Sequence, residues 1–599
     1  MTKPPSGILF FIVGPSGAGK DSLIDGLRAR LDSAGFVFAR RVITRSADAG
    51  GELHEAVSLA EFLAREARGE FLVSWQAHGL HYGIPASVCD ALAQGRHVLA
   101  NGSRSAAAML SARVPNMVLV SIEAPPELLA ARLAARGRED PQAIAKRLAR
   151  RPAVYPPSLR RITIQNDRDL PTGVARLEGA IKLAIAPEAE PRAPREIMLH
   201  KLAGVRLSQA NWAAMLDAVL AGEITGEDLR AILITCATEL DDDELLSIAR
   251  WRSGLMPRID WGERLVVDKH SLGGTAGSRV TMVVIPIVAA HGLTMPKTSS
   301  RAITSAAGTA DAMEVLARVD LTPAELKTVV ARAKACIAWN GRLNHSVLDD
   351  AMHAIEREYG LDTRRWSVAS ILSKKFSAGS THVVIDIPYM PSGKVADLEQ
   401  ARAMAALFEA IGQRLGLVVR AFPSDGSAPI GRGIGPALEA RDVLQVLRAD
   451  PDAPADLRDK SLLFAGHILA FDPAVGSAER GLARAQQLLR EGSALKAFEA
   501  VIDAQGRRPP PDATSLQRLA LASPETGRIA GIHARRVAAI ARAAGAPQDP
   551  LAGVDLACQL GASIKAGEPL YVVQGRHPER LEAALALAAQ DTGVSISRA

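Results

Sequence analysis

The sequence predicts an α/β protein in two parts. The first is a P-loop domain with a parallel sheet; the second is a larger assembly of a helical segment, an α/β domain and a small C-terminal α+β domain. Three observations predict this. Strand-like apolar runs alternate with helical segments over residues 7–186 and again after 264. A break rich in proline and charge, Pro187-Glu188-Ala189-Glu190-Pro191-Arg192-Ala193-Pro194, separates the parts and reads as a linker. Each part carries a glycine-rich loop of the kind that binds phosphate, Gly14-Pro15-Ser16-Gly17-Ala18-Gly19-Lys20 and Asp268-Lys269-His270-Ser271-Leu272-Gly273-Gly274. The expected domains are 1–186, a linker at 187–194, a helical part at 195–262, an α/β part at 263–506 and a C-terminal unit at 507–599.

In the first part, 7–13, 97–101 and 117–122 read as buried strands, and 20–31 and 127–136 as amphipathic helices. Residues 197–260 are helix-rich, with apolar positions at helical spacing around 215–220 and 229–238. Strands return at 264–267, 383–387 and 417–422, and 310–319 and 370–375 read as helical. The glycine-rich stretch 424–435 is a loop. A further boundary falls near 506–512, and the chain closes with a strand at 570–573 and a helix at 578–589.

Composition narrows the function. At 599 residues with 48% hydrophobic and 23% charged residues, the chain can bury several cores. The net charge of +6 is mild, and no Lys/Arg block or aromatic-interleaved basic stripe points to nucleic acid. Small anionic substrates are the expected partners. Cys89, Cys236, Cys336 and Cys558 lie far apart without CxxC or Cys/His spacing, which argues for a reducing cytoplasm and against a zinc site. The N-terminal residues lead into a strand rather than a signal-peptide core, and the apolar run 280–290 is too short for a bilayer. A soluble cytoplasmic protein is expected.

A strand, a glycine turn and a helix gather backbone N–H groups at a helix N-terminus, where the dipole favours phosphate. Lys20 would reach the β/γ-phosphates of a nucleotide. Asp21 stands where Ser or Thr ordinarily follows that lysine, with Ser22 next. A plain glycine turn capping a helix is the blander reading. Residues 7–165 resemble the ribose 1,5-bisphosphate phosphokinases, relatives of guanylate kinase. The motifs are Gly14–Ser22 with its Gly-Lys-Asp-Ser variant, Arg41-Val42-Ile43-Thr44-Arg45, Gly51-Glu52-Leu53-His54-Glu55, Ser74-Trp75-Gln76-Ala77-His78-Gly79, Tyr82-Gly83-Ile84-Pro85 and Asn101-Gly102-Ser103-Arg104. The resemblance implies ATP, as its Mg²⁺ complex, phosphorylating ribose 1,5-bisphosphate to phosphoribosyl diphosphate. It makes Arg41 and Arg45 clamps on the acceptor's phosphates and Arg132, Arg136, Arg138 and Arg147 candidates for a closing lid. His78 reads equally as a packed polar residue.

In the second part, a strand running into a basic pair, a hydroxyl and glycine amides would cradle an oxyanion. Ser299-Ser300-Arg301-Ala302-Ile303-Thr304-Ser305 adds hydroxyls and an arginine, and Gly308-Thr309 opens a helix whose start would also suit phosphate. Ser370-Ile371-Leu372-Ser373-Lys374-Lys375 sets two lysines on a helix. These motifs resemble the thymidine phosphorylase superfamily over about 195–599, in wording closest to the archaeal-type AMP phosphorylases. Ala378-Gly379-Ser380-Thr381-His382 and 425–435 follow that branch as well. Thymidine phosphorylases proper carry Ser-Gly-Arg-Gly-Leu where this chain has Ser300-Arg301-Ala302-Ile303, and their Tyr/Arg pair is out of register here.

The resemblance implies nucleotide contacts at Gly274, Ser300 to Ser305, Thr309, Ser370 and Lys394. It makes Asp362 the proton donor to the departing base, and Lys269, His270 and Ser271 the residues that orient inorganic phosphate, the co-substrate. General acid catalysis requires Asp362 to hold its proton, through burial or an anionic neighbour. The expectation is a bifunctional enzyme, AMP phosphorolysis feeding a ribose 1,5-bisphosphate kinase, with no tightly bound cofactor, no metal site, no membrane contact and a homodimer or larger. The alternatives are a thymidine or pyrimidine-nucleoside phosphorylase joined to an independent kinase, and a phosphorylase joined to a silent binding module.

Overall fold

A computed structural model describes residues 7–31, 35–45, 54–77, 79–135, 159–186, 193–272, 279–302, 305–339, 341, 347–359, 361–391 and 393–597. The chain forms two compact units, 1–240 with 357–361, and 241–356 with 362–599. The helices Pro194–Leu202, Gln209–Leu220 and Gly226–Thr238, grouped by sequence with the second part, lie in the first unit.

The first unit is built on a five-stranded parallel sheet in the order Phe36–Phe38, His97–Asn101, Leu9–Val13, Met117–Glu123, Arg160–Gln165. The central strand is buried at every residue. Its alternation serves two cores: Phe10 and Ile12 join Leu23, Leu27 and Leu177 on one face, while Leu9, Phe11 and Val13 join Trp75, Leu110 and Leu119 on the other. A parallel sheet covered on both faces explains why these strands read as unbroken apolar runs. A second sheet, Glu55–Ala56, Val42–Ile43, Leu80–Pro85, Phe71–Ala77, lies in the same unit and is antiparallel but for its first pair. The helix Leu170–Ile185 meets Pro194–Leu202 closely enough that a Cβ on Gly179 would sit 2.2 Å from the Leu199 carbonyl oxygen. There the buried Glu178 carboxylate accepts from both terminal nitrogens of Arg195, at 2.9 and 3.0 Å.

In the second unit, Val267–Ser271, His382–Tyr389 and Val418–Asp425 form a parallel sheet, and Met295–Ser299 pairs in parallel with Ala335–Trp339. The apolar helix Val280–His291 is packed into the core beside them. The strand expected to end at Val267 runs on through Ser271, because Asp268 to Ser271 pair in register with Val383 to Asp386. The helix expected over 310–319 stops at Glu314; beyond it Arg318 donates its amide to Gly506 instead of continuing the helical ladder. A four-stranded sheet (Gly433–Ile434, Gly553–Leu556, Pro569–Gly575, Gln517–Ala522) and a three-stranded one (Ser563–Ile564, Gly527–Ile532, Val594–Ser597) complete it. No helix among the described residues is long and apolar enough to cross a membrane.

Candidate functional site

In the first unit the buried strand Leu9–Val13 delivers the chain to a turn that starts the helix Lys20–Arg28. Gly17 and Gly19 take φ of 86°, a left-handed backbone that glycine adopts without strain. A Cβ on Gly14 would lie 2.4 Å from the Ile122 carbonyl oxygen, so the turn begins pressed against the neighbouring strand. Ala18 is fully buried. The Lys20 ammonium donates to the carbonyls of Gly14 and Pro15 at 3.0 and 3.1 Å, folded across the loop whose phosphates it is expected to meet. Asp21 accepts from the Asn101 side-chain amide, which joins two of the motifs. Pro15, Ser16 and Ser22 complete the turn and the first helical residues as expected.

Two features of this site were not legible in the sequence. The buried Asn166 side chain donates to the Ala18 carbonyl at 2.7 Å, bracing the loop from the far side of the sheet sequence. Arg132 donates to the carbonyl of Asn166 at 3.0 Å, so the one expected lid arginine that is described here is tied to the same brace. Arg136, Arg138 and Arg147, with His78 and residues 51–53, lie outside the described residues. Arg41 stacks over the rings of Tyr82 and Trp75, at 5.3 and 5.9 Å, and those two rings stack on each other at 5.5 Å. Arg45 meets His54, whose other ring nitrogen lies 3.2 Å from the Arg45 carbonyl.

In the second unit, charge is concentrated along the strand Val267–Ser271. Asp268 is fully buried against Lys375 at 2.7 Å and Lys297 at 3.5 Å. Asp386 pairs with Lys269 and Lys460, each at 3.5 Å, and accepts from Ser271 at 3.1 Å. Four lysines thus meet two carboxylates in a buried place, leaving surplus positive charge that an anion would neutralise. Burial lowers the Lys269 ammonium to a pKa of about 8, with Asp386 opposing, and depresses Lys297 in the same way. His270 is held well below its ordinary value by burial and by Lys375, Lys297, Lys374 and Lys269, so its imidazole is neutral. Lys375, from the two-lysine helix motif, belongs to this cluster, as do Lys297 and Lys460, which no sequence signal singled out as anion ligands.

The arginine and hydroxyl segment is arranged differently from the expectation. Arg301 does not present a free charge: Asp311 lies at 3.2 Å, Glu314 is in closer contact, and the guanidinium stacks on Trp339 at 5.1 Å. The start of the helix Thr309–Glu314 is already filled, since Asp311 accepts the amides of Ala302 and Gly308 at 2.7 and 2.8 Å. An internal carboxylate takes the place where phosphate was expected, by ordinary helix capping. Thr309 accepts from Arg279 at 3.1 Å, Ser305 donates to Ala307, Ser299 donates to the carbonyl of Ser300, and Ser300 is exposed. Gly274, Ile303 and Thr304 lie outside the described residues. Lys394 is exposed in the turn after His382–Tyr389. A cleft of about 350 Å³ is lined by Arg301, Asp311, Glu314 and Arg508 with several prolines; the lysine cluster does not border it.

Ser370 and Lys374, one helical turn apart on Arg364–Ser377, converge on Asp349, a buried carboxylate that sequence reasoning missed. Asp362 departs from what an acid donor requires. Its side chain is 54% exposed and held by Arg364 at 2.5 Å; burial would raise its pKa, but the Arg364 contacts outweigh that and lower it. It is an ionised surface carboxylate here, not the protonated acid expected.

Comparison with known proteins bears on both units. The model for the glycosyl transferase family, a/b domain, matches residues 263–495, the lysine-rich sheet included, and that for the pyrimidine nucleoside phosphorylase C-terminal domain matches 528–595. The chain is 54% identical over 583 residues to a bifunctional ribose 1,5-bisphosphokinase-thymidine phosphorylase of Cupriavidus necator, covering 97% of each. Proteins of the same description from Azorhizobium caulinodans and Roseobacter denitrificans are 45% and 38% identical, over 99% and 98% of this chain and 97% and 100% of theirs. Identity that runs end to end with such relatives places the chain in a family of transferases. The chain belongs to the bifunctional ribose 1,5-bisphosphokinase-thymidine phosphorylases, enzymes that join a kinase to a phosphorylase.

Proposed function

We propose that the C-terminal half phosphorolyses a nucleoside 5′-monophosphate, AMP first, to base and ribose 1,5-bisphosphate. The N-terminal half then phosphorylates that product to phosphoribosyl diphosphate. The observation that carries this is the union of the two activities in relatives that match over the whole chain. Phosphorolysis leaves phosphate on C1 of whatever sugar it releases. A nucleoside 5′-monophosphate therefore yields the 1,5-bisphosphate on which those relatives' kinase is named to act. Thymidine yields a deoxyribose with a single phosphate, of no use to such a kinase.

In the phosphorolysis, an oxygen of inorganic phosphate forms a bond to C1′ as the bond from C1′ to the base nitrogen breaks. The departing electron pair goes to the base, which takes up a proton. The surplus of lysines over carboxylates along 267–271, with neutral His270, supports binding of that phosphate. Asp362 is the proposed proton donor, once substrate phosphate displaces Arg364 from it. In the kinase half, phosphoryl transfer needs positioning and charge neutralisation, for which the glycine turn and Lys20 are suited. ATP arrives as its Mg²⁺ complex, the metal screening the phosphates. The acceptor's phosphates fall to Arg41 and Arg45.

A second reading, phosphorolysis of thymidine, is favoured by the names of the relatives and by the pairing of Arg301 with Asp311 and Glu314, which leaves it unready for a 5′-phosphate. One experiment separates them. Pure protein is incubated with phosphate and either AMP or thymidine, then with ATP, and the sugar products are identified. AMP should be consumed far faster than thymidine, and ATP should convert the sugar bisphosphate. Lys20→Ala should abolish the second step, spare the first and let ribose 1,5-bisphosphate accumulate. Faster turnover of thymidine than of any nucleotide overturns the reading.

A further inference from the structure

The helix cluster around Asp349 has a geometry that the proposed reaction does not yet use. Its carboxylate gathers four donors from two other helices. Arg252, on Asp242–Gly254, donates at 2.9 Å. Trp366, Ser370 and Lys374, on Arg364–Ser377, donate at 3.2, 2.8 and 2.7 Å. Asp349 and Arg252 are buried, whereas the Lys374 side chain keeps 31% of its surface exposed. Arg252 is further held over the Trp366 ring at 5.6 Å. Burial alone would raise the Asp349 pKa, but Arg252 and Lys374 bring it down, so the group is an anion.

Two consequences follow from the hydrogen-bond directions. The Ser370 hydroxyl spends its only proton on Asp349 and accepts from Arg252 at 3.4 Å, so toward a ligand it acts as an acceptor through its remaining lone pair. The Lys374 ammonium spends one of three protons on Asp349 and keeps the others for a ligand. Arg252 and Asp349 cancel in charge, and Lys374 is left as the accessible cation, within electrostatic reach of His270 on the anion-binding strand.

We propose that Asp349 is the positioning residue of the phosphorylase site. It fixes Ser370 as an acceptor and Lys374 as a donor for a base that offers an N–H beside a lone pair. The proposal rests on the reading of Ser370 and Lys374 as substrate contacts. Adenine and thymine both satisfy the pattern, so the assignment holds whichever of the two the enzyme prefers.

The test compares wild type, Asp349→Asn, Lys374→Ala and the double variant in the full-length protein. kcat and KM for phosphorolysis are read with AMP and with thymidine, and kinase activity on ribose 1,5-bisphosphate serves as an internal control. Asp349→Asn should lower kcat/KM by roughly 30-fold, the size expected for a lost charged hydrogen bond. In the Lys374→Ala background the same change should cost less than about threefold, because its effect passes through Lys374. Losses that multiply in full, or an Asp349→Asn protein with wild-type kcat/KM, overturn the proposal. Should Asp349→Asn not fold, Asp349→Glu keeps the charge while moving the carboxylate. It should lose activity with an unchanged melting temperature, and full activity there overturns the proposal equally. The ratio of AMP to thymidine turnover in the wild type tests the substrate reading separately.

Discussion

The side-chain amide of Asn166 donates to the carbonyl of Ala18 at 2.7 Å, across 148 residues of chain. That bond holds the phosphate loop from a segment carrying no motif. Gly19 packs against the same side chain so tightly that a Cβ there would lie 2.4 Å from its nitrogen. Asn166→Ala should therefore loosen the loop and raise KM for ATP by about tenfold, the worth of one buried hydrogen bond. Steady-state kinetics with ATP varied would show it, and phosphorolysis by the same preparation should be unchanged.

Arg41 is supported by the rings of Tyr82 and Trp75 and is the proposed clamp on an acceptor phosphate. Replacing Tyr82 by Leu removes one face of that support. A cation–π contact contributes about 0.5–2 kcal/mol, so KM for the sugar phosphate should rise a few-fold to roughly 30-fold. KM for ATP should stay near wild type. A rise in both would mean that the variant disturbs the sheet rather than the arginine.

To act as the proposed proton donor, Asp362 would first have to be released from Arg364. A general acid works only while protonated, so activity falls as pH rises through its pKa. Arg364 holds that pKa down. Arg364→Gln should raise it and move the alkaline limb of the kcat/KM profile to higher pH. Asp362→Asn should cut phosphorolysis by roughly a hundredfold or more while AMP still binds. Wild-type turnover in Asp362→Asn would remove the residue from the mechanism.

The proposed anion binding by the buried lysines should be sensitive to pH. Lys269 has a pKa of about 8 in the free protein, lowered chiefly by burial, so it gives up its proton as pH rises through that value. A bound anion favours the charged ammonium and is favoured by it. Competition by sulfate, which keeps its charge, against phosphate-dependent turnover should weaken between about pH 7 and 9. The folded protein itself should gain stability from these groups over the same rise, since the unfolded chain binds the additional proton. Thermal melts without sulfate would report that opposite trend.

Local patterning alone determined the glycine turn at 14–20, the strands His97–Asn101 and Leu9–Val13 and the helix Pro578–Gln590, because apolar period and turn chemistry act over a few residues. The tertiary structure decided what depends on partners far apart in the chain. The lysines at 269, 297, 375 and 460 come from four separate segments, and only the parallel strands and their packed helices bring them to two carboxylates. Asp311 could not be read as the occupant of its own helix start, nor Arg301 as already neutralised, because both depend on how residues 301–314 fold back on themselves. Asp349 had no motif at all; three helices had to converge before a lone carboxylate became the holder of Ser370 and Lys374. Sequence spacing gives the chemistry available to each segment, whereas charge pairing and burial are set by long-range packing, and these decide which of those groups can act.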